Sequence, residues 1–208
     1  GISHKGYNWY ELKIKGLAAH GSRPEQGVNA IFPLQYALAT LDNINKKLSE
    51  KEPHPCLGHA TLHPGLIKGG TAQSVIAAEA TLNWERRTLP GETQKELDQE
   101  LKQVVEAVES ATGDHQVFAK QVYSRPPNQS GEDSLIRMLQ KATGNKSYSG
   151  MSYWADSALA AQAGIPSVLF GPAGHGAHAI DEWVSESSMI NCYKYLRNFI
   201  SNFQITIS

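Results

Sequence analysis

Cysteine is nearly absent from this 208-residue chain: Cys56 and Cys192 are the only two. Two thiols so far apart in sequence suit reduced residues of a cytoplasmic protein better than a disulfide framework. They also exclude cysteine-rich zinc modules, so any metal must be held by histidine and carboxylates. An excess of either charge is missing too. With 19 Lys and Arg against 20 Asp and Glu, there is no polybasic surface for nucleic acid or anionic lipid. No apolar run approaches membrane-spanning length, and no basic-plus-apolar export segment is visible at the N-terminus. Neither a phosphate-cradling glycine loop nor a helical H-E-x-x-H occurs. What remains, 40% hydrophobic and 19% charged residues, is the composition of a globular protein with room for one large or two small domains.

The apolar pattern is informative over the first half. "NWYELKIKGLAAH" alternates as a half-buried strand does. After "GSRPEQG", Ile31, Leu34, Leu38, Leu41 and Leu48 recur at helical steps, with Pro33 tolerable only in a first turn. Two strand-like runs follow, "CLGHATLHPGLIKGG" and "VIAAEATLNWERRTL", and Pro64-Gly65 marks the first as an edge strand or a broken one. Thr93 with Glu96 forms a capping box ahead of the stripe Leu97, Leu101, Val104, Val105 and Val108, and Gly113 is the stop. "HQVFAKQVYS" is a last strand. Strand, helix, strand, strand, helix, strand is the order of a ferredoxin-like βαββαβ sandwich.

"RPPNQSG", Arg125 to Gly131, reads as a linker, and the pattern then changes. Helices are expected over Ser134 to Thr143, within "DSALAAQAGIP", and at the end, where Met189, Tyr193, Leu196, Ile200 and Phe203 share one face. "SVLF" has the character of a buried parallel strand. One clear strand cannot make a sheet by itself, so this α/β part needs strands from elsewhere. The expected division is residues 5–125 and residues 126–208.

Three segments could carry chemistry. "FGPAGHGAHAIDEWV" follows the C-terminal end of the expected strand, where open α/β sheets place ligand loops, and carries His175 between glycines and His178 between alanines. An imidazole there suits zinc, although loop histidines are often surface residues. "GLAAHGSRPEQGVNAI" sets His20 between a strand and a helix, either as a plain strand-end residue or as a donor to a developing oxyanion. "GGTAQSV…NWERRTLPGE" ends a strand with Arg86 and Arg87, either a carboxylate clamp or a solvated pair, and for Arg86 the solvated pair is the better reading. "GMSYW" is a poor nucleophile elbow, with Trp154 where the second glycine belongs and Asp156 too near Ser152.

Taken in order, "GLAAHGSRPEQGVNAI", "GGTAQSVIAAEATLNWERRTLPGET" and "YWADSALAAQAGIPSVLFGPAGHGAHAIDEWV" resemble the metal-dependent amidohydrolases that include acetylornithine deacetylase, succinyl-diaminopimelate desuccinylase, aminoacylase and glutamate carboxypeptidase. The resemblance covers essentially the whole chain. It implies a lid, or dimerisation, domain of the βαββαβ kind followed by the C-terminal α/β part of a zinc-peptidase-like catalytic domain. It implies roles as well: His178 as a zinc ligand, and His20 as a lid histidine reaching across a homodimer to polarise the scissile carbonyl. Arg87 would hold the substrate's carboxylate, with Glu85 in the usual aspartate position and Gln73 where asparagine is usual. Asp156 and Glu182 would support the loop and His178, and Trp183 would pack.

The family's H-x-D, bridging Asp and Glu-Glu pair lie before the lid, and no H-x-D occurs here. The expectation is therefore the C-terminal portion of a cytoplasmic enzyme, inactive alone, with one of the ligands for two zinc ions (cobalt or manganese being alternatives). Its substrate would be a small N-acyl amino acid or short peptide, with no nucleic acid or membrane partner. Two other readings stay open: a non-catalytic dimerisation or ligand-binding module, and a carboxypeptidase on short peptides.

Overall fold

The structure is a computed structural model, and it describes residues 1–113, 115–131, 134–176 and 179–202. After a two-residue strand, β1 (Ser3–His4), the chain runs through β2 (Gly6–Lys15), α1 (Leu34–Glu50), β3 (Thr61–Gly69), β4 (Glu79–Thr88), α2 (Gln94–Ala111) and β5 (Gln116–Arg125). The four long strands form one antiparallel sheet in the order β3-β4-β2-β5. That is the ferredoxin-like arrangement expected, with both helices on one face.

The periodicities explain the packing. In β2 the even-numbered residues are buried and the odd-numbered ones are not; β4 alternates the same way. Tyr10, Leu12, Ile14, Ala80, Leu82 and Trp84 thus form the inner face, against Leu34, Ala37, Leu41, Ile44 and Leu48 of α1 and Val104 and Val108 of α2. Each fully buried leucine or valine contributes about 1.5–3 kcal/mol. Pro33 sits at the N-cap of α1, and the Thr93–Glu96 capping box starts α2 as expected. Helix α2 ends at Ala111, before Gly113. β3 is an edge strand whose register breaks between Pro64 and Leu66, where an edge tolerates a proline. Gly16 is required by close approach: a Cβ there would lie 2.0 Å from the Val28 carbonyl oxygen.

Arg86 departs from its sequence reading. Its side chain is on the helix side of the sheet, 1% exposed, and is not solvated. It bonds Glu92 and Glu100, which straddle the start of α2, and donates to the Arg87 carbonyl (2.6 Å). Burial alone would lower its pKa, but the bonds to Glu100 and Glu92 outweigh burial and raise it.

The remaining residues hold β6 (Asn128–Gln129), α3 (Ser134–Thr143), β7 (Gly150–Met151), α4 (Ser157–Gln162), β8 (Gly174–His175), β9 (Trp183–Val184) and α5 (Glu186–Ser201). The expected linker thus contains a short strand. β1 lies between β6, antiparallel, and β7, parallel, so the first residues of the chain pair with its second half rather than with the lid sheet. "SVLF" is not a strand; its one rung is a pair of bonds between Gly1 and Leu169. A parallel strand needs ladder partners on its flanks, and among the described residues Gly1 alone supplies them. Helix α5 has no buried residue, and Tyr193 and Ile200 on its apolar face are 64% and 69% exposed. Phe203, the last residue of that expected face, lies outside the described residues.

Candidate functional site

His20 lies where two loops zip together beyond the end of β2. Gly16 N–H donates to Ala78 O, Ile76 N–H to Ala19 O, and Gly21 N–H to Ser74 O, and His20 itself bridges Val75. Gln73, exposed in the facing turn, is therefore held at the same end of the sheet as His20. The local bonds also select a tautomer. The Ser22 backbone N–H (3.2 Å) points at His20 Nδ1, and the Ser22 hydroxyl is 2.7 Å from it. A backbone N–H can only donate, so Nδ1 accepts and the neutral ring carries its proton on Nε2. His20 is exposed, which presents that Nε2–H as a free donor.

Arg87 emerges on the opposite, open face of the sheet from Arg86, because the strand alternates. Its Nε donates to Glu85 Oε1 (2.6 Å), and the guanidinium lies 5.2 Å above the ring of Tyr7, its partner across the rung. The other Glu85 oxygen accepts from Trp9 Nε1 (2.7 Å). Both oxygens of Glu85 are thus engaged, and the partly exposed Arg87 makes no hydrogen bond to the described residues through its Nη atoms, the edge by which a guanidinium can pair with a carboxylate. Around it stand aromatic rings that the sequence reading did not single out. Tyr7 stacks on Tyr123 and leans on Trp9 and Trp154, while Arg125 covers Tyr123 and Trp154. The signal was available: odd-numbered Tyr7 and Trp9 fall on the same face of β2 as Glu11.

His20 and Arg87 are at opposite ends of the lid. The Tyr7–Arg87 rung and the Lys15–Glu79 rung are eight residues apart, roughly 27 Å at the usual strand rise, and His20 is beyond the second. One chain cannot bring both to one small substrate. It does bring His20 together with Gln73, and Arg87 together with Glu85.

His178 lies outside the described residues. On either side of it, β8 and β9 pair as a hairpin, His175 opposite Trp183. Trp183 does not pack as expected; it is 57% exposed, and the described ring near it is His175. Asp156 is at the N-cap of α4 without a side-chain capping bond, and Glu182 is exposed. Among the described residues no three of His, Cys, Asp or Glu come together to hold a metal.

Residues 2–112 match the family model described as the peptidase dimerisation domain. Acetylornithine deacetylase of Buchnera aphidicola (subsp. Acyrthosiphon pisum, strain Tuc7) is 26% identical over 190 residues, 88% of this chain and 48% of the relative. That of Myxococcus xanthus is 25% identical over 211 residues, 97% of this chain and 54% of the relative. The chain thus spans about half the length of the curated relatives it matches. Among solved structures, a tripeptidase of Staphylococcus aureus superposes with a TM-score of 0.72 at 22% identity, covering 96% of this chain and 52% of the other. A hydantoinase/carbamoylase family amidase of Burkholderia vietnamiensis gives 0.66 at 15%, covering 96% and 48%. The likeness to these two structures is one of fold. The family model covers more than half of the residues, and the chain belongs to the family of amidohydrolases and peptidases that carry this peptidase dimerisation domain.

Proposed function

We propose that this chain is the lid and C-terminal part of a zinc-dependent, cytoplasmic hydrolase that cleaves the amide of small N-acyl amino acids, as the named acetylornithine deacetylases do of their substrate. The observation that carries the reading is the opposed placement of His20 with Gln73 and of Arg87 with Glu85 on one sheet. A substrate held by Arg87 of one copy would meet the Nε2–H of His20, and the amide of Gln73, from a second copy. Arg87 reads the free carboxylate; His20 donates to the carbonyl oxygen as it gains charge, a contribution worth about two to three orders of magnitude in rate. His178 is the metal ligand this chain would give, with Asp156 and Glu182 supporting its loop. The other ligands would come from residues outside the chain, and a metal bound there would supply an activated water.

A homodimer through the lid follows from the same reading. Ile31, Phe32 and Tyr36, around the start of α1, are exposed, as is Ile67 of the β3 edge, which pairs with Leu82 on the helix side of the sheet, and Ile31 lies against Gly69 at that edge. An apolar patch along an unpaired edge strand suits pairing with a second copy. The division at residues 5–125 and 126–208 is supported by the four-stranded sheet lying within residues 6–125 and by β1 pairing across to β6 and β7. Among the described residues no helix is long and apolar enough to cross a membrane.

The test is hydrolysis by the full-length protein of N-acetylornithine, other N-acetyl amino acids and dipeptides. It is run before and after chelation and with zinc, cobalt or manganese restored. Loss on chelation, recovery with zinc, and a KM raised at least tenfold by Arg87→Ala are expected. Peptide cleavage without deacylation would favour the carboxypeptidase reading. No hydrolysis under any metal would favour a dimerisation or ligand-binding module without chemistry.

A further inference from the structure

Trp9 has an unusual combination of rigidity and exposure. Its indole N–H is fixed on Glu85 Oε2 (2.7 Å), and its ring is held at 5.3 Å from both Tyr7 and Tyr123. Yet 46% of the residue is exposed. An exposed tryptophan held on three sides is a ready-made platform, because binding to it orders no further side chain. Its position is specific. Trp9 is opposite Glu85 and Tyr7 is opposite Arg87, so Trp9 and Arg87 are diagonal neighbours on the open face, within reach of one small molecule.

The charges around Trp9 determine what it can accept. Both Glu85 oxygens are engaged, one by Arg87 and one by Trp9. Glu11, the next acid on that face of β2, is paired with Lys120, and Glu79 is paired with Lys13. Arg87 and Arg125 meanwhile cover the rings of Tyr7 and Tyr123. A cationic side chain brought here would meet two guanidinium groups and no unengaged carboxylate among these residues. An aromatic ring would meet the face or edge of Trp9 at no electrostatic cost.

We propose that Trp9 is a specificity-determining residue: the amino acid whose carboxylate Arg87 holds carries an aromatic side chain, which stacks on Trp9, and not a cationic one such as ornithine. The proposal rests on the assignment of Arg87 to the substrate carboxylate. It separates this chain from what the names of its acetylornithine deacetylase relatives suggest.

The experiment uses the full-length protein labelled at tryptophan nitrogen, with the Trp9 indole resonance identified by Trp9→Phe. Three amino acids that share the carboxylate, phenylalanine, ornithine and glycine, are titrated; as products they are not turned over. Phenylalanine is expected to shift the Trp9 signal and to bind about tenfold more tightly than ornithine, the gain of one good aromatic contact. Trp9→Ala should abolish the preference, bringing phenylalanine to the affinity that the same variant has for glycine, and Trp9→Phe should keep the preference. Ornithine binding as tightly as phenylalanine, with Arg87→Ala still weakening all three, overturns the Trp9 assignment and leaves the carboxylate site standing. Affinities that do not respond to Arg87→Ala remove the carboxylate site and this proposal together. A Trp9 signal that none of the three amino acids moves also overturns it.

Discussion

Replacing Arg86 should destabilise the lid more than any other single charge change, and the structure sets the scale. Arg86 is 1% exposed, and its Nε and Nη2 both donate to Glu100 (2.9 and 3.0 Å) while Nη2 and Nη1 also meet Glu92. Arg86→Met keeps most of the stem's volume but removes every one of these bonds. Breaking a buried pair by deleting one partner costs about 3–5 kcal/mol, because the other charge is left stranded. Here the stranded carboxylates are not fully buried, at 13% and 19% side-chain exposure. They can turn partly to water, and Glu92 keeps its bond from the Leu89 N–H (2.7 Å). The expectation is therefore the lower end, about 3 kcal/mol. Arg86→Lys, which keeps charge but not the fork, should cost about 1–2 kcal/mol. With a slope of about 2 kcal/mol/M, Arg86→Met should lower the urea midpoint by roughly 1.5 M, read by circular dichroism of α1 and α2. Adding Glu92→Gln and Glu100→Leu should restore most of the loss, since no charge is then stranded. A midpoint change below about 0.25 M for Arg86→Met would mean the cluster is solvated after all.

Other consequences can be measured on the same protein. Thr93→Ala removes the hydroxyl half of the capping box at α2, which accepts from the Glu96 N–H and donates to its carboxylate, and keeps the Thr93 N–H bond to Glu96; it should cost about 1 kcal/mol in the same unfolding experiment, and no change would show that the hydroxyl does not hold the first turn. His4 is buried, with Nδ1–H toward the Lys5 carbonyl (3.2 Å) and Nε2 at 3.0 Å from the Ser157 hydroxyl. Burial lowers its pKa, opposed in part by that backbone bond. The unfolded chain then binds the proton more readily, so stability is complete above the ordinary value near 6.5 and falls as pH drops below it. His4→Phe should flatten that fall between pH 7 and 5, and an unchanged slope would clear His4 of the effect. Hydrogen exchange should be slow in α1 and α2 and fast in α5, which has no buried residue. Equal protection would contradict the view that the second half is incompletely packed.

The fold was legible where periodicity and chemistry agreed. The alternation in "NWYELKIK", the capping box at Thr93 and the break at Pro64-Gly65 each specify a local conformation, and each appears where it was expected. What failed was long-range. "SVLF" looks like a buried strand, but a strand exists only with a ladder partner, and Gly1 alone provides one rung. The pairing of β1 with β6 and β7 joins residues more than a hundred positions apart, and nothing in "GISHKG" announces it. At the site, the residues that the resemblance pointed to could be placed on their elements, except His178. The inward direction of Arg86 and the aromatic surroundings of Arg87 needed the register. In "NWERRT" two adjacent arginines are indistinguishable as letters, yet one-residue alternation sends Arg86 to α2 and Arg87 to the open face.

That alternation and the length of the sheet lead to the sharpest test of the dimeric reading. If Arg87 serves its own copy's substrate and His20 serves the other copy's, the two lesions fall together in one site of a mixed dimer and leave the other site intact. Combine full-length His20→Ala with full-length Arg87→Ala, each nearly inactive by itself. In a hybrid, the site built on the His20→Ala chain has an intact Arg87 and borrows an intact His20 from its partner. The other site has both lesions. A two-fold dimer that exchanges subunits freely would form hybrids half the time, each with one intact site of two, so about a quarter of the wild-type rate should return on mixing. If His20 instead reached the Arg87 of its own chain, every site would keep one lesion and mixing would restore nothing. The roughly 27 Å between the ends of the sheet argues for the first outcome. A mixture no more active than its parts, with subunit exchange verified by mass, would show that the lid bends far enough to close on itself, or that His20 has no part in the reaction.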